Sequence, residues 1–133
     1  MNKSTPIDVQ LRQFEKTVLD EVSPSFCLAK WHRTTVRADQ GLAYSCHHCI
    51  PVEVDRETLK DNPKALVNTP SVIAEREQML RGERPDACEY CWQSEDSGQI
   101  SDRIVKSSVL WKRSIENHPN FVADTIADVN CIP

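Results

Sequence analysis

The sequence lacks several features that would place it in a familiar class. It has no apolar run long enough to span a membrane, and its first residues, MNKSTPIDVQ, contain no apolar signal-peptide segment. Its three glycines are scattered, which excludes a glycine-rich phosphate loop. A basic excess is also missing, since the net charge is −4, and this argues against nucleic acid as the main partner. We therefore predict a cytoplasmic protein with no membrane partner.

Aromatic residues are also scarce, at 6% of 133 residues, so the chain can build only a modest core. Cysteines, in contrast, are frequent for a chain of this kind, and there are six of them, at positions 27, 46, 49, 88, 91 and 131. In a reducing compartment cysteines are more often metal ligands than disulfides. The sequence therefore predicts a bound metal that supports the fold.

Secondary-structure signals predict a small α+β fold. Two strand-like segments, Trp31–Arg37 and Leu42–Cys46, flank turn residues 38–41 and predict a β-hairpin. Apolar periodicity and capping signals, including a capping box at Thr5 and Asp8, predict helices. These helices cover residues 5–22, 55–61, 70–81 and 101–116. Cys88 and Cys91 fall in a predicted loop, so the expected architecture is a β-hairpin and surrounding helices around a four-cysteine metal site.

Two sets of cysteines are candidates for that site. Cys27 precedes the predicted hairpin and Cys46 ends it, and because paired strands lie about 5 Å apart, the hairpin is expected to bring these two thiols together. Cys88-x-x-Cys91 would be the second arm of a four-thiolate site, which suits Zn²⁺ or an iron–sulfur cluster. In the alternative set, Cys46-x-x-Cys49 pairs with Cys88-x-x-Cys91 in a ribbon-like zinc site, although 38 residues separate these arms.

The first set also carries a resemblance to a known family. Cys27, thirteen residues, Gly41, four residues and Cys46 are followed by Cys88-x-x-Cys91. This pattern resembles the twitch domain, a shortened relative of the SPASM domain of radical S-adenosylmethionine (radical SAM) enzymes. The segments FCLAKWHRTTVRADQGLAYSC and LVNTPSVIAEREQMLRGERPDACEYCW resemble the sequences that supply the two ligand pairs. The resemblance covers residues 26–97, and SDRIVKSS resembles sequence that follows such domains at the N-terminus of a protein.

The resemblance implies an auxiliary [4Fe–4S] cluster with Cys27, Cys46, Cys88 and Cys91 as its ligands, serving electron transfer or substrate positioning. The C-x-x-x-C-x-x-C motif that binds the SAM-cleaving cluster is absent from the sequence. We therefore expect a non-catalytic portion of a radical SAM enzyme, whose partners are a radical SAM catalytic domain or protein and a peptide or small-molecule substrate.

The expected organisation has three parts. They are an N-terminal helix in residues 1–25, a twitch-like domain in residues 26–98, and a C-terminal helix and tail in residues 99–133 that lead to a missing catalytic domain. The alternative function is a structural Cys₄ zinc module for interactions, using Cys46, Cys49, Cys88 and Cys91.

Other chemistry-bearing residues have ordinary interpretations. His47 and His48 are interpreted as surface residues beside a metal loop, with replacement of a thiolate ligand as the alternative. Cys49 has no place in the twitch pattern, so it is a spare thiol, a substitute ligand or a reactive thiol. Cys131 is expected to be a free thiol, and Trp92 to shield the metal from water. Ordinary surface positions are expected for the basic residues Arg81, Arg84, Lys106, Lys112 and Arg113.

Overall fold

The computed structural model describes residues 5–37, 39–46, 48–49 and 51–130, so the predictions for His47 and Cys131 lie outside the described residues. Helices dominate these ranges and accompany a small antiparallel sheet, which confirms the α+β class. Among the described residues, every helix is too short or too polar to cross a membrane.

The predicted N-terminal helix is present, but its start and its middle differ from the prediction. Helix α1 (Ile7–Phe14) continues through a π-helical segment, Glu15–Leu19, into the short helix α2 (Asp20–Val22). The capping box is wrong, because Pro6 occupies the N-cap position and no side chain caps the helix. The π-helical segment has i→i+5 hydrogen bonding, which helps to place Phe14 and Leu19, five residues apart, in the same core.

The hairpin is confirmed, with shorter strands than predicted. Strands β1 (Thr35–Arg37), β2 (Leu42–Tyr44) and β3 (Val52–Glu53) form an antiparallel sheet in the order β1-β2-β3. Gly41 ends the turn with φ +66°, a conformation that glycine adopts without strain. The unpredicted β3 is only two residues long, which is too short for a period-2 pattern to be recognised.

The prediction of a strand that begins at Trp31 is wrong. Residues Ala29–His32 form the helical turn α3, in which the His32 N–H donates to the Leu28 carbonyl at 3.2 Å. Trp31 is buried, and its Nε1–H donates to the carbonyl of Asp128 at 3.1 Å. This contact with a distant part of the chain, together with core packing, outweighs the local preference of the segment for a strand.

Two helices begin where capping residues predict. Helix α4 (Arg56–Asp61) follows Asp55, whose carboxylate accepts from the Thr58 N–H at 3.4 Å. Helix α5 (Pro70–Leu80) follows Thr69, whose hydroxyl accepts from the Val72 N–H at 3.3 Å. A 3₁₀ turn over Pro63–Leu66 connects the two helices.

The C-terminal half is more helical than predicted. The segment of Cys88 and Cys91 is a 3₁₀ turn, Asp86–Cys88, followed by helix α6 (Glu89–Asp96), so the predicted loop is wrong. Helix α7 (Asp102–Ser114) confirms a prediction, whereas α8 (Phe121–Ile126) was not predicted.

Helix α7 lies against the core with a face that includes polar side chains. Val105 and Val109 of this helix are 38% and 42% exposed. The buried positions include Ile104, Ser107 and Ser108, because the Ser107 hydroxyl accepts the Leu28 N–H at 3.0 Å. The core that α7 helps to cover is one cluster of buried residues: Phe14, Leu19, Phe26, Leu28, Trp31, Met79, Cys91, Trp92 and Ile104.

Candidate metal centre

One cavity in the fold is lined by every cysteine that the structure describes. Its lining includes Cys27, Cys46, Cys49, Cys88 and Cys91, and all five are free thiols. Cys91 is buried and the other four are half-buried. Both candidate ligand sets from the sequence therefore line the same cavity. Cys27 and Cys49, the residues that distinguish the two sets, are both part of this lining.

Cys27 is positioned by helix α7 and not by the hairpin. The Leu28 N–H donates to the Ser107 hydroxyl at 3.0 Å, and that hydroxyl lies 3.8 Å from the Cys27 sulfur. The sequence-based reason for its closeness to Cys46 is therefore wrong, because α3 separates Cys27 from the first strand. The second anchor is Arg103, whose Nη1 donates to the carbonyl of Phe26 at 2.7 Å.

Cys46 and Cys49 share a tight turn directly after β2. The Cys49 N–H donates to the Cys46 carbonyl at 2.9 Å. Each sulfur also has an ammonium neighbour, with Lys106 Nζ 3.8 Å from the Cys46 sulfur and Lys30 Nζ 3.8 Å from the Cys49 sulfur. The turn therefore directs two thiols into a site that has two positive charges at its edge.

Cys88 and Cys91 lie at the start of helix α6. Cys88 is the N-cap residue, and residues three apart on a helix share one face, so both thiols can line the same cavity. The neighbouring Trp92 is buried in the lining, and its Nε1–H donates to the Pro85 carbonyl at 2.8 Å. The start of helix α6 therefore positions the two thiols, where the sequence predicted a loop.

Hydrogen bonds between thiols connect the two cysteine arms through Cys49. Donation to Cys49, together with burial, raises the pKa of Cys46 far above its usual range. The Cys46 bond lowers the pKa of Cys49, but donation to Cys88 and burial outweigh it and raise that pKa overall. The bond from Cys49, assisted by the Lys30 charge, lowers the pKa of Cys88 in spite of burial. Burial raises the pKa of Cys91 to about 11, although the Arg103 backbone N–H favours its thiolate.

Lys30 also lines the cavity, and the sequence analysis did not single it out. It is 3% exposed, and its ammonium donates to Glu75 Oε1 at 2.8 Å and to Ser45 Oγ at 3.0 Å. Burial by itself lowers the pKa of Lys30, but the charges of Cys88, Cys49 and Glu75 outweigh this effect and raise it. The available signal was its position three residues after Cys27. That spacing brings two residues to one side of the chain only in a helical turn, and the sequence analysis did not predict α3.

Lys106 and His48 also differ from their predicted surface roles. Both line the cavity, and the His48 ring stacks on Tyr90 with ring centroids 3.8 Å apart. His48 Nε2 lies 2.5 Å from Asp102 Oδ2, at the first turn of α7. The pair connects the turn that carries Cys46 and Cys49 to α7. The predicted surface role is correct for Arg81 and Arg84, which form exposed pairs with Glu83 and Asp96.

The donor set has the chemistry of a site for a soft centre, since thiolates favour zinc and iron–sulfur clusters. Within the described ranges, no three His, Cys, Asp or Glu side chains are placed to hold a single metal ion. The thiols therefore surround the cavity from separate segments and do not meet at one point.

Comparisons of the chain with protein-family models, with curated proteins and with solved structures found no match. The resemblance of the cysteine pattern to twitch domains therefore stays a prediction.

Proposed function

We propose that the chain binds a [4Fe–4S] cluster through Cys27, Cys46, Cys88 and Cys91, as an auxiliary domain that works with a radical SAM catalytic domain. The observation that carries the proposal is that all five described cysteines line one cavity. When bound, such a cluster supplies reversible one-electron transfer. The chain itself has no SAM-cleaving activity in this proposal, and its role is electron transfer or substrate positioning.

The arrangement of the thiols supports a cluster as the bound group. In a [4Fe–4S] site each thiolate binds a separate iron, so ligands can approach from several segments and need not converge on one point. Here Cys27 precedes α3, Cys46 follows β2, and Cys88 and Cys91 begin α6. Three separate segments therefore contribute thiols to one cavity.

Charge and hydrogen-bond donors around the cavity suit an anionic ligand set. Lys30, Lys106 and Ser107 each place a donor 3.8 Å from a cysteine sulfur. Hydrogen bonds to sulfur and nearby positive charge tune the potential of a cluster and offset the charge of its thiolates. Lys106 and Ser107 are beside the proposed ligands Cys46 and Cys27, whereas the sulfur beside Lys30 is that of Cys49.

Four protein thiolates would leave no open position for SAM or for a substrate. The residues of the site can therefore bind, enclose and electrostatically stabilise the group, and Trp92 excludes water from one side. For this reason the proposed role is auxiliary, and catalysis is assigned to a partner domain or protein with a peptide or small-molecule substrate.

A second candidate is a structural zinc site formed by Cys46, Cys49, Cys88 and Cys91, in a module for interactions. One observation favours it: Cys46 and Cys49 share one turn, and both line the cavity together with Cys88 and Cys91. A tetrahedral zinc site needs four such ligands around one ion. The two candidates therefore differ in whether Cys27 or Cys49 is required.

The test is anaerobic purification of the chain, followed by iron, sulfide and zinc analysis and an absorption spectrum. The variants are Cys27→Ala and Cys49→Ala, with Cys131→Ala as the matched control, because neither ligand set includes that thiol. We expect about four iron and four sulfide per chain, lost in Cys27→Ala and retained in Cys49→Ala and Cys131→Ala. One zinc per chain without sulfide, lost in Cys49→Ala and retained in Cys27→Ala, would replace the cluster proposal with the zinc site.

A further inference from the structure

Cys49 is the fifth thiol that lines the cavity, and the proposed cluster uses the other four as ligands. It lies in one turn with the proposed ligand Cys46, and both thiols line the same cavity. Two neighbouring thiols have a chemistry besides metal binding, since they can be oxidised to a disulfide.

The backbone holds Cys46 and Cys49 at a separation that a disulfide requires. The Cys49 N–H donates to the Cys46 carbonyl at 2.9 Å, which closes a turn from the first to the fourth residue. The ends of such a turn have Cα atoms less than about 7 Å apart. Disulfides join Cα atoms about 4.4–6.8 Å apart. The turn can therefore accept the bond without a large movement of the chain.

Cys46 also faces a second cavity, through which a reagent can reach it. This open cavity of ≈ 380 Å³ is lined by Cys46 and by hydroxyl and basic side chains, among them those of Arg33 and Lys106. Arg33 is exposed, and Lys106 Nζ lies 3.8 Å from the Cys46 sulfur. A basic approach to a thiol favours a small anionic reagent over a neutral or cationic one.

We propose that Cys46 and Cys49 form a reversible dithiol–disulfide pair that exchanges with small anionic disulfides of the oxidised-glutathione class. The Cys46 thiol attacks one sulfur of the reagent and loses its proton, forming a mixed disulfide and releasing the first small thiol. The Cys49 thiol then attacks the Cys46 sulfur, loses its proton and releases the second small thiol. Two protein thiols are oxidised to one disulfide, and one reagent disulfide is reduced to two thiols.

The pair has a consequence that rests on the proposed function. Cys46 belongs to the proposed cluster ligands, so its oxidation removes one of the four thiolates. The oxidised chain is then expected to lose cluster binding, and reduction by a small thiol restores it. The concentration of the small disulfide would in this way control whether the chain can bind the proposed cluster.

The experiment uses the full chain as purified, and the same chain after treatment with a chelator. Each sample is incubated with oxidised glutathione, quenched by alkylation and mapped by mass spectrometry of non-reduced peptides. In the chelator-treated sample we expect a chain two hydrogen atoms lighter, with Cys46 joined to Cys49, and full reversal by reduced glutathione. Cys49→Ala should stop at one glutathione on Cys46, whereas Cys27→Ala should still form the bond.

Matched charge variants test the route of the reagent. Arg33→Gln should slow the oxidation several-fold, whereas Arg81→Gln, which removes another exposed charge away from this cavity, should leave the rate unchanged. A chain that stays reduced, or a disulfide that joins Cys46 or Cys49 to another cysteine such as Cys88, would overturn the proposal. Iron and sulfide content is measured separately, so failure of the cluster proposal and failure of the disulfide proposal give different results.

Discussion

The guanidinium group of Arg103 donates to the carboxylate of Glu95 through two hydrogen bonds of 2.8 Å, from Nε and Nη2. This bidentate pair joins α7 to α6, the helix that carries Cys91. The remaining nitrogen, Nη1, donates to the carbonyl of Phe26, directly before Cys27. One buried side chain therefore fixes the Cys27 segment relative to the helix of the second cysteine arm.

Replacement of Arg103 by methionine should strongly destabilise the fold. The change leaves the half-buried Glu95 carboxylate and the Phe26 carbonyl without the Arg103 donors. Breaking such a pair around a buried charge costs about 3–5 kcal/mol. The measurement is urea denaturation followed by circular dichroism. The control is Arg84→Met, because Arg84 and Asp96 are 46% and 62% exposed and such pairs contribute only about 0–1 kcal/mol. Equal stability of the two variants would contradict the assigned role of Arg103.

A second prediction concerns Lys30 and Glu75, a buried ion pair at the edge of the cavity. Lys30→Met should lower the free energy of unfolding by about 3 kcal/mol, because Glu75 then keeps a charge in a half-buried position without its partner. The double variant Lys30→Met/Glu75→Gln should recover most of that loss, since removal of both charges also removes the desolvation penalty. A double-mutant cycle from urea denaturation measures this coupling. Additive losses from the two single changes would show that the residues act independently.

A third prediction concerns pH and the docking of helix α8. The His32 ring stacks on Phe121 with centroids 4.9 Å apart, and its Nε2 lies 2.8 Å from the Thr125 hydroxyl. Partial burial of the ring and the charge of Arg76 lower the pKa of His32. The folded chain therefore binds fewer protons here than the unfolded chain, so stability is lost as the pH falls below the unfolded pKa of about 6.5.

The measurement for this third prediction is the melting temperature of the wild type and of His32→Gln, from about pH 7.5 down to about pH 5.5. The wild type should lose more stability across this range than the variant, which has no titrating ring at this position. The neighbouring pair of His118 and Asp124 is present in both proteins. Its contribution to the pH dependence of the melting temperature therefore cancels when the two proteins are compared. Parallel curves for the two proteins would refute the contribution of His32.

The correct sequence predictions are those that depend on local contacts. Asp55 and Thr69 cap helices through bonds to residues three positions ahead, and Gly41 supplies a turn conformation that other residues adopt at a cost. The errors concern residues whose conformation depends on distant partners. Trp31 joins a helical turn because it packs in the core and bonds to Asp128, and Cys88 begins a helix where the local sequence resembles a loop.

By itself the sequence determined the α+β class and the starts of the capped helices. It also determined two candidate sets of four cysteines, which differ in whether Cys27 or Cys49 is included. Only the tertiary structure decided that all five described thiols line one cavity, with Lys30 buried beside them. The physical reason is that a charged or polar group can be buried only where partners satisfy it. The partners of this site are far apart in the chain, since Leu28 bonds to Ser107 across 79 positions and Lys30 to Glu75 across 45. A sequence pattern that spans a few residues does not specify contacts between residues this far apart in the chain.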